Sequence, residues 1–185
     1  MVVGNGGLEL VPAELSLAEQ VVDYYRRNRG FLKAFEPPRE EAFFTLEHQR
    51  MILEKEILAR ETGTGFRFYL KLAQQPDRII GMIGLNNVVW GAFRSAFLGY
   101  KLDEGLINRG YMSAAVGMLV RYAFEELELH RVEANVMPRN KASLRVLEKN
   151  RFVSEGLSKY YLNINGVWED HIHMVRINYA MHGSH

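Results

Sequence analysis

The chain has 185 residues, of which 48% are hydrophobic and 24% charged; this excludes intrinsic disorder and fits one globular domain, taken as residues 1–185. A formal net charge of +1 implies no general attraction to nucleic acid or to an acidic membrane surface. There is no cysteine, so disulfides, cysteine-rich zinc sites and a cysteine acyl-enzyme are excluded, and the composition suits a cytoplasmic chain.

No apolar run approaches the ~18 residues that a membrane span needs. The opening segment, residues 1–10, has no basic stretch before an apolar one, so no signal peptide is expected. Residues 8–11 read as a short strand. Ser16-Leu-Ala-Glu19 reads as a capping box opening a helix through Val21, Val22, Tyr24 and Tyr25 that fails near Gly30. Pro37 and Pro38 force an extended or turning link. A second helix is expected between Thr45 and Arg60.

The period then changes. Phe66, Phe68, Leu70 and Leu72 alternate with Arg67, Tyr69 and Lys71, which predicts a half-buried strand, with residues 74–78 as the following turn. Strands are expected over 79–89 and 95–102. A helix follows, with Met112, Val116, Leu119, Val120, Ala123 and Leu127 on one stripe. Residues 130–137 read as a strand ended by Pro138, and a short helix runs from Asn140 to Asn150. The end is a hairpin over 160–175 turning at Asn165-Gly166, and the last residues, 181–185, are polar and expected to fray. The strands on either side of the long helix form a β-α-β unit, so that pair should be parallel.

Between the third of these strands and the long helix lies Ile107-Asn-Arg-Gly-Tyr-Met-Ser-Ala-Ala115. A helix start leaves amides without partners at the positive end of the helix dipole. Gly110 permits close approach to the backbone, Arg109 adds charge and Ser113 a hydroxyl, a set suited to a phosphate or pyrophosphate. A plain β-α turn with an exposed arginine explains the same residues equally well. The Walker loop and the three-glycine dinucleotide fingerprint are both absent. A phosphate handle with neither catalytic Lys nor Mg²⁺ ligand beside it suggests a carrier such as coenzyme A.

The order of elements and the stretch 97–152 resemble the Gcn5-related N-acetyltransferase superfamily. Residues 31–44, 86–102, 130–143 and 160–171 resemble segments of its RimJ/RimL-type ribosomal-protein-alanine N-acetyltransferase branch, and the likeness spans about residues 8–178. It implies an α/β (α+β) fold: a mixed, mostly antiparallel twisted sheet with a central, splayed parallel strand pair, flanked by helices. It also implies acetyl-CoA as co-substrate. Arg109, Gly110, Tyr111, Met112 and Ser113 would hold its pyrophosphate, Leu98, Gly99 and Tyr100 would pair with its pantetheine arm, and Asn140 and Ser143 would lie near its sulfur. This chain departs from the family pattern at Ile107 and Met112 in the phosphate loop, at Arg151 where a glycine is usual, at Phe97 where many relatives carry Glu, and at Leu147 where others carry Tyr.

Transfer to an amine needs a neutral nucleophile, a donor to the oxyanion and a proton for the leaving thiolate. Ser143 and Tyr161 are the candidate acids, although capping at Asn140 and a plain sheet position explain them without chemistry. Glu133 and His171 are candidate bases without a clear winner; His171 reads better as a core histidine oriented by Asp170. Phe35, Glu36 and Asn135 are assigned to the acceptor. A protein α-amine, with a pKa of about 8, needs less help than a lysine at about 10.4. The expected acceptor is therefore a protein N-terminus, with a small amine or amino acid as the other enzymatic reading. A non-catalytic acyl-CoA sensor is the reading outside enzymes. No metal spacing, nucleic-acid platform or membrane segment is found, and monomer and homo-oligomer both fit.

Overall fold

The computed structural model describes residues 2–3 and 7–182. The strands are β1 (Val2–Val3), β2 (Leu8–Pro12), β3 (Phe66–Leu72), β4 (Gln75–Val89), β5 (Ser95–Leu102), β6 (Arg131–Val136), β7 (Val153–Ile164) and β8 (Val167–Ile177). The helices are α1 (Ala18–Arg27), α2 (Arg29–Leu32), α3 (Leu46–Glu61), α4 (Tyr111–Glu125) and α5 (Lys141–Lys149). One sheet runs β1-β2-β3-β4-β5-β6-β8-β7. Its only parallel pair among the described residues is β5–β6, bridged by α4 as a β-α-β unit.

The sheet has two covered faces. Leu98 of β5 and Val132, Ala134 and Val136 of β6 pack with Met112, Val116 and Leu119 of α4 and Leu147 of α5. On the other face, Tyr69 of β3 and Met82 of β4 pack with Val21 and Tyr24 of α1 and Leu53 of α3. This second layer corrects the half-buried reading of β3. Tyr69 and Lys71, expected to face solvent, are buried, and the Tyr69 hydroxyl donates to Glu56 at 2.8 Å.

Three further expectations give way. The Ser16–Glu19 capping box does not form: residues Leu15–Leu17 make a 3-10 turn that buries Leu17, α1 starts only at Ala18, and Ser16 Oγ contacts Glu14 at 3.4 Å. The predicted turn at 74–78 is displaced, because β4 begins at Gln75 and only Ala73 and Gln74 turn. The helix expected to fail near Gly30 ends at Arg27, with Asn28 as its cap, and α2 follows at once. The fraying expected of 181–185 falls partly on residues 183–185, which lie outside the described residues, as do 1 and 4–6.

The closing hairpin turns where predicted, but its first strand is longer than the expected 160–175 span allows, since β7 begins at Val153. Asn165 and Gly166 both take positive φ, 53° and 85°, the pairing that a two-residue turn between twisted strands demands. No helix among the described residues is long and apolar enough to cross a membrane.

Candidate functional site

The site is built around a gap in the sheet. β5 and β6 pair over three positions, Ser95 with Arg131, Ala96 with Val132 and Phe97 with Glu133, and then part. From Leu98 onward the β6-facing edge of β5 has no strand partner among the described residues, and Leu98, Gly99 and Tyr100 lie on this free stretch. An extended, amide-bearing chain can pair with such an edge.

Beside the gap stands the start of α4. Gly110 is its N-cap, with φ of 85° and no side-chain cap, and nothing lies within 4 Å of where its Cβ would be. The Ala114 amide closes the first intrahelical bond onto the Gly110 carbonyl at 3.0 Å, so the amides of Tyr111, Met112 and Ser113 precede the helical ladder. Arg109 is exposed, and the first turn holds no acidic residue. The Met112 side chain is buried in the core, so only its backbone faces the loop. An open, acid-free cradle over a 15-residue helix fits a pyrophosphate.

α5 faces the same side of the sheet. Asn140 Oδ1 accepts from the Ser143 amide at 3.1 Å, so Asn140 is the cap and its carbonyl oxygen is engaged. Ser143 Oγ lies 2.7 Å from the hydroxyl of Tyr100. Burial pushes that phenol up to about 12 and the bond to Ser143 lowers it, so Tyr100 keeps its proton near neutral pH. Sequence reasoning took Tyr100 only for its backbone. The signal for its side chain was the strand period, which puts Tyr100 on the face of Leu98, toward the helices. Leu147, where relatives carry tyrosine, is fully buried.

Asn135 alternates to the opposite face. Its Nδ2 donates to the Tyr161 hydroxyl at 3.0 Å, and its Oδ1 lies 2.7 Å from His173 Nδ1. The other nitrogen of His173 meets Glu133 Oε2 at 2.6 Å. Glu133 is buried and also held by Ser95 Oγ at 2.9 Å and Arg131 Nε at 2.8 Å, so this candidate base is committed to structure. His171 is buried, and its Nδ1 lies 3.0 Å from the Glu169 carbonyl. Asp170, expected to orient it, instead accepts from the Tyr160 amide at 2.8 Å, because the irregular register of β7 between Ser158 and Leu162 brings that amide to it. The candidate acids thus lie on opposite faces, Ser143 with Tyr100 toward α4 and α5, Tyr161 with Asn135 toward the other side.

That other side is walled by the segment after α2. Phe35 packs edge-on against Phe31, centroids 5.6 Å apart, and Glu36 pairs with Lys101 of β5. The wall is tied to the hairpin: Asn165 Nδ2 donates to the Lys33 carbonyl at 2.6 Å, and Arg139, itself 2.9 Å from Glu169, reaches the Ala34 carbonyl at 3.3 Å.

A model of the acetyltransferase (GNAT) domain matches residues 8–153. The chain is 41% identical over 160 residues to the probable N-acetyltransferase YjcK of Bacillus subtilis, covering 86% of this chain and 88% of that one. It superposes on the crystal structure of a ribosomal-protein-S5-alanine acetyltransferase from Vibrio fischeri with a TM-score of 0.92, at 33% identity and coverage of 96% and 97%. It also matches RimJ of Mycobacterium smegmatis, solved with CoA-disulfide, with a TM-score of 0.87, 27% identity and coverage of 96% and 85%.

Proposed function

The chain belongs to the acetyltransferase (GNAT) domain family, whose co-substrate is acetyl-CoA, and we propose that it acetylates the α-amine of a protein N-terminus by direct transfer within a ternary complex. The observation that carries this reading is the gap between β5 and β6, which has the α4–α5 face on one side and the Phe35–Glu36 wall on the other. A donor entering from the helix side and an acceptor from the wall side can meet without a covalent enzyme intermediate. The naming of the Vibrio fischeri neighbour as a ribosomal-protein-S5-alanine acetyltransferase supports a protein terminus as acceptor.

In this reading the amides of Arg109 to Ser113 hold the pyrophosphate, and the free edge at Leu98, Gly99 and Tyr100 binds the pantetheine and offers an amide to the oxyanion. The acceptor nitrogen bonds to the acetyl carbon, the carbon–sulfur bond breaks, one proton leaves nitrogen and one reaches sulfur. Ser143 Oγ supplies the proton to sulfur and regains one from solvent relayed through the Tyr100 hydroxyl, which ends the cycle protonated, while the proton lost by nitrogen passes to solvent. Asn135 and Tyr161 orient the acceptor. No free carboxylate or imidazole has been assigned as base, and an α-amine with pKa of about 8 is the nucleophile that tolerates this best.

The test is mass spectrometry on peptides beginning with Ala or Ser, beside the same peptides N-terminally blocked but carrying Lys. Acetylation of the α-nitrogen at least about tenfold faster than of the lysine is expected from the amine pKa gap. Faster modification of the lysine peptide, or of free amino acids and polyamines, overturns the acceptor assignment.

A further inference from the structure

An acceptor amine arrives mostly protonated at neutral pH, so its first binding site must suit an ammonium ion. The chemistry for that is a carboxylate, an aromatic face and a neutral oxygen acceptor. All three converge at one place on the acceptor side. Glu36 supplies the carboxylate. The ring of Tyr25, on α1, supplies the face. The Tyr25 hydroxyl donates to Met82 sulfur at 3.2 Å, which leaves its oxygen free to accept. Beside them opens a cleft of about 200 Å³ lined also by Leu32, Phe44 and the cations Arg29, Lys33 and Arg39, of which Arg29 is paired with Glu41 and Arg39 with Glu36.

In the protein as it stands, an ammonium is already there. Lys101 Nζ forms an ion pair with Glu36 Oε1, lies 3.3 Å from the Tyr25 oxygen and 5.1 Å from the centre of its ring. Both partners of the ion pair are well shielded, with 18% and 17% of their side chains exposed. Lys101 is two residues beyond Gly99 on β5, so this ammonium stands on the strand assigned to the donor. Glu36 carries a second cation, Arg39 Nη2, 3.4 Å from Oε2. One carboxylate facing two cations can release one without being stranded.

We propose that Glu36 and Tyr25 form the ammonium-binding site for the acceptor, and that Lys101 occupies it in the free protein as an internal competitor. This rests on the N-terminal acetyltransferase reading and adds to it how the acceptor is held. An incoming α-ammonium displaces Lys101 from both Glu36 and the Tyr25 oxygen, and the flexible lysine stem lets the displaced ammonium swing away from the incoming charge. The site selects for a primary ammonium and against a blocked terminus, and the competitor lowers the apparent affinity of every ammonium alike.

The test is calorimetric binding of an Ala-initiated peptide, and of its N-acetylated counterpart, to the CoA-loaded protein. Lys101→Met should bind the free-amine peptide more tightly, on the order of two- to fivefold, the worth of one partly shielded ion pair removed from competition. Lys101→Gln should do the same, which covers a folding failure in either variant. Glu36→Gln should weaken binding, and Glu36→Gln with Lys101→Met should show no gain over Glu36→Gln alone. The blocked peptide should not distinguish wild type from Lys101→Met. Unchanged or weaker binding in folded lysine variants, or no peptide binding by any of them, overturns the proposal. Wild-type acetylation of the same peptide separates the two claims: turnover without a gain in the lysine variants sinks only the internal competitor, whereas the gain without turnover leaves an ammonium site and sinks the transfer reading.

Discussion

The Tyr100 hydroxyl lies 2.7 Å from Ser143 Oγ and 3.2 Å from the Ser143 carbonyl, joining the free edge of β5 to the first turn of α5. A carbonyl only accepts, so a phenol proton stands at the serine in either arrangement. Because Asn140 caps the Ser143 amide, the Ser143 side chain is not needed to start the helix. Among the described residues its hydroxyl meets Tyr100 alone.

This separates a catalytic from a structural role. Ser143→Ala leaves the cap intact and should cost only about 0.5–1.5 kcal/mol of stability, the worth of the bond to Tyr100. If Ser143 protonates the thiolate, kcat should fall on the order of 10²-fold with KM for acetyl-CoA nearly unchanged, since the interaction forms in the transition state. Tyr100→Phe keeps the ring and should lower kcat less, because it removes only the recharging proton. Steady-state kinetics on both variants decide; a normal kcat in Ser143→Ala ends the acid assignment.

Gly110 gives the second prediction. Its φ of 85° is strained for any residue with a Cβ, yet that Cβ would touch nothing in the protein. Gly110→Ala should therefore fold, at a cost of about 1 kcal/mol from backbone strain. The added methyl would stand over the free amides of the first turn and hold an anion away from them. Losing one charge-assisted hydrogen bond, about 1.5–3 kcal/mol, should weaken CoA binding roughly ten- to hundredfold. Calorimetry on the folded variant checks this, and undiminished binding removes the pyrophosphate assignment.

The parts of the fold set by local chemistry were legible. β5 has the expected bounds, the α4 stripe is buried from Met112 to Ala123 although Leu127 lies past the helix end and is half-buried, and Asn165-Gly166 turns the hairpin because both residues tolerate positive φ. Arg151, at the position where the family resemblance implies a glycine, takes φ of 61°, a conformation glycine adopts more readily than arginine. What could not be read was set by contacts distant in sequence. The Ser16 capping box is locally sound, but burying Leu17 starts α1 later. Lys71 alternates as a surface residue, yet it is buried at its place between Glu9 of β2 and Ile79 of β4. The Tyr100–Ser143 and Glu36–Lys101 contacts join residues 43 and 65 positions apart, with no periodic pattern to announce them.

Asp103 was missed in the same way, and it carries a pH prediction. It is buried at the start of the turn leading to Gly110, where it binds Arg27 of α1, Arg78 Nη2 at 2.9 Å and the Gly105 amide at 3.1 Å. Burial alone would raise its pKa, but the hydrogen bonds from Arg78, Arg27 and Gly105 outweigh it and hold the carboxyl below its ordinary value. A carboxylate with a depressed folded pKa stabilises the fold above its unfolded value of about 3.9, and that contribution is lost as pH falls through the folded value. Asp103→Asn should cost about 1.5–3 kcal/mol at pH 7. The gap between variant and wild type should close as the pH drops below about 4. Chemical denaturation across pH checks the sign; a gap that widens in acid contradicts the assignment.

The last prediction concerns the tie between wall and hairpin. Arg139, just after β6, holds Glu169 of β8 at 2.9 Å and the Ala34 carbonyl at 3.3 Å, while Asn165 at the hairpin tip holds the Lys33 carbonyl at 2.6 Å. These contacts fix Phe35 and Glu36 relative to the gap and touch nothing assigned to the donor. Arg139 is half-exposed, with 50% of its side chain accessible, so its removal should cost under about 1 kcal/mol of stability. If the segment after α2 walls the acceptor, Arg139→Ala should raise KM for the N-terminal peptide severalfold while leaving KM for acetyl-CoA unchanged. Asn165→Ala should do the same by releasing the other tie. A rise in KM for acetyl-CoA instead, or no change in either constant in both variants, would move the acceptor away from this wall.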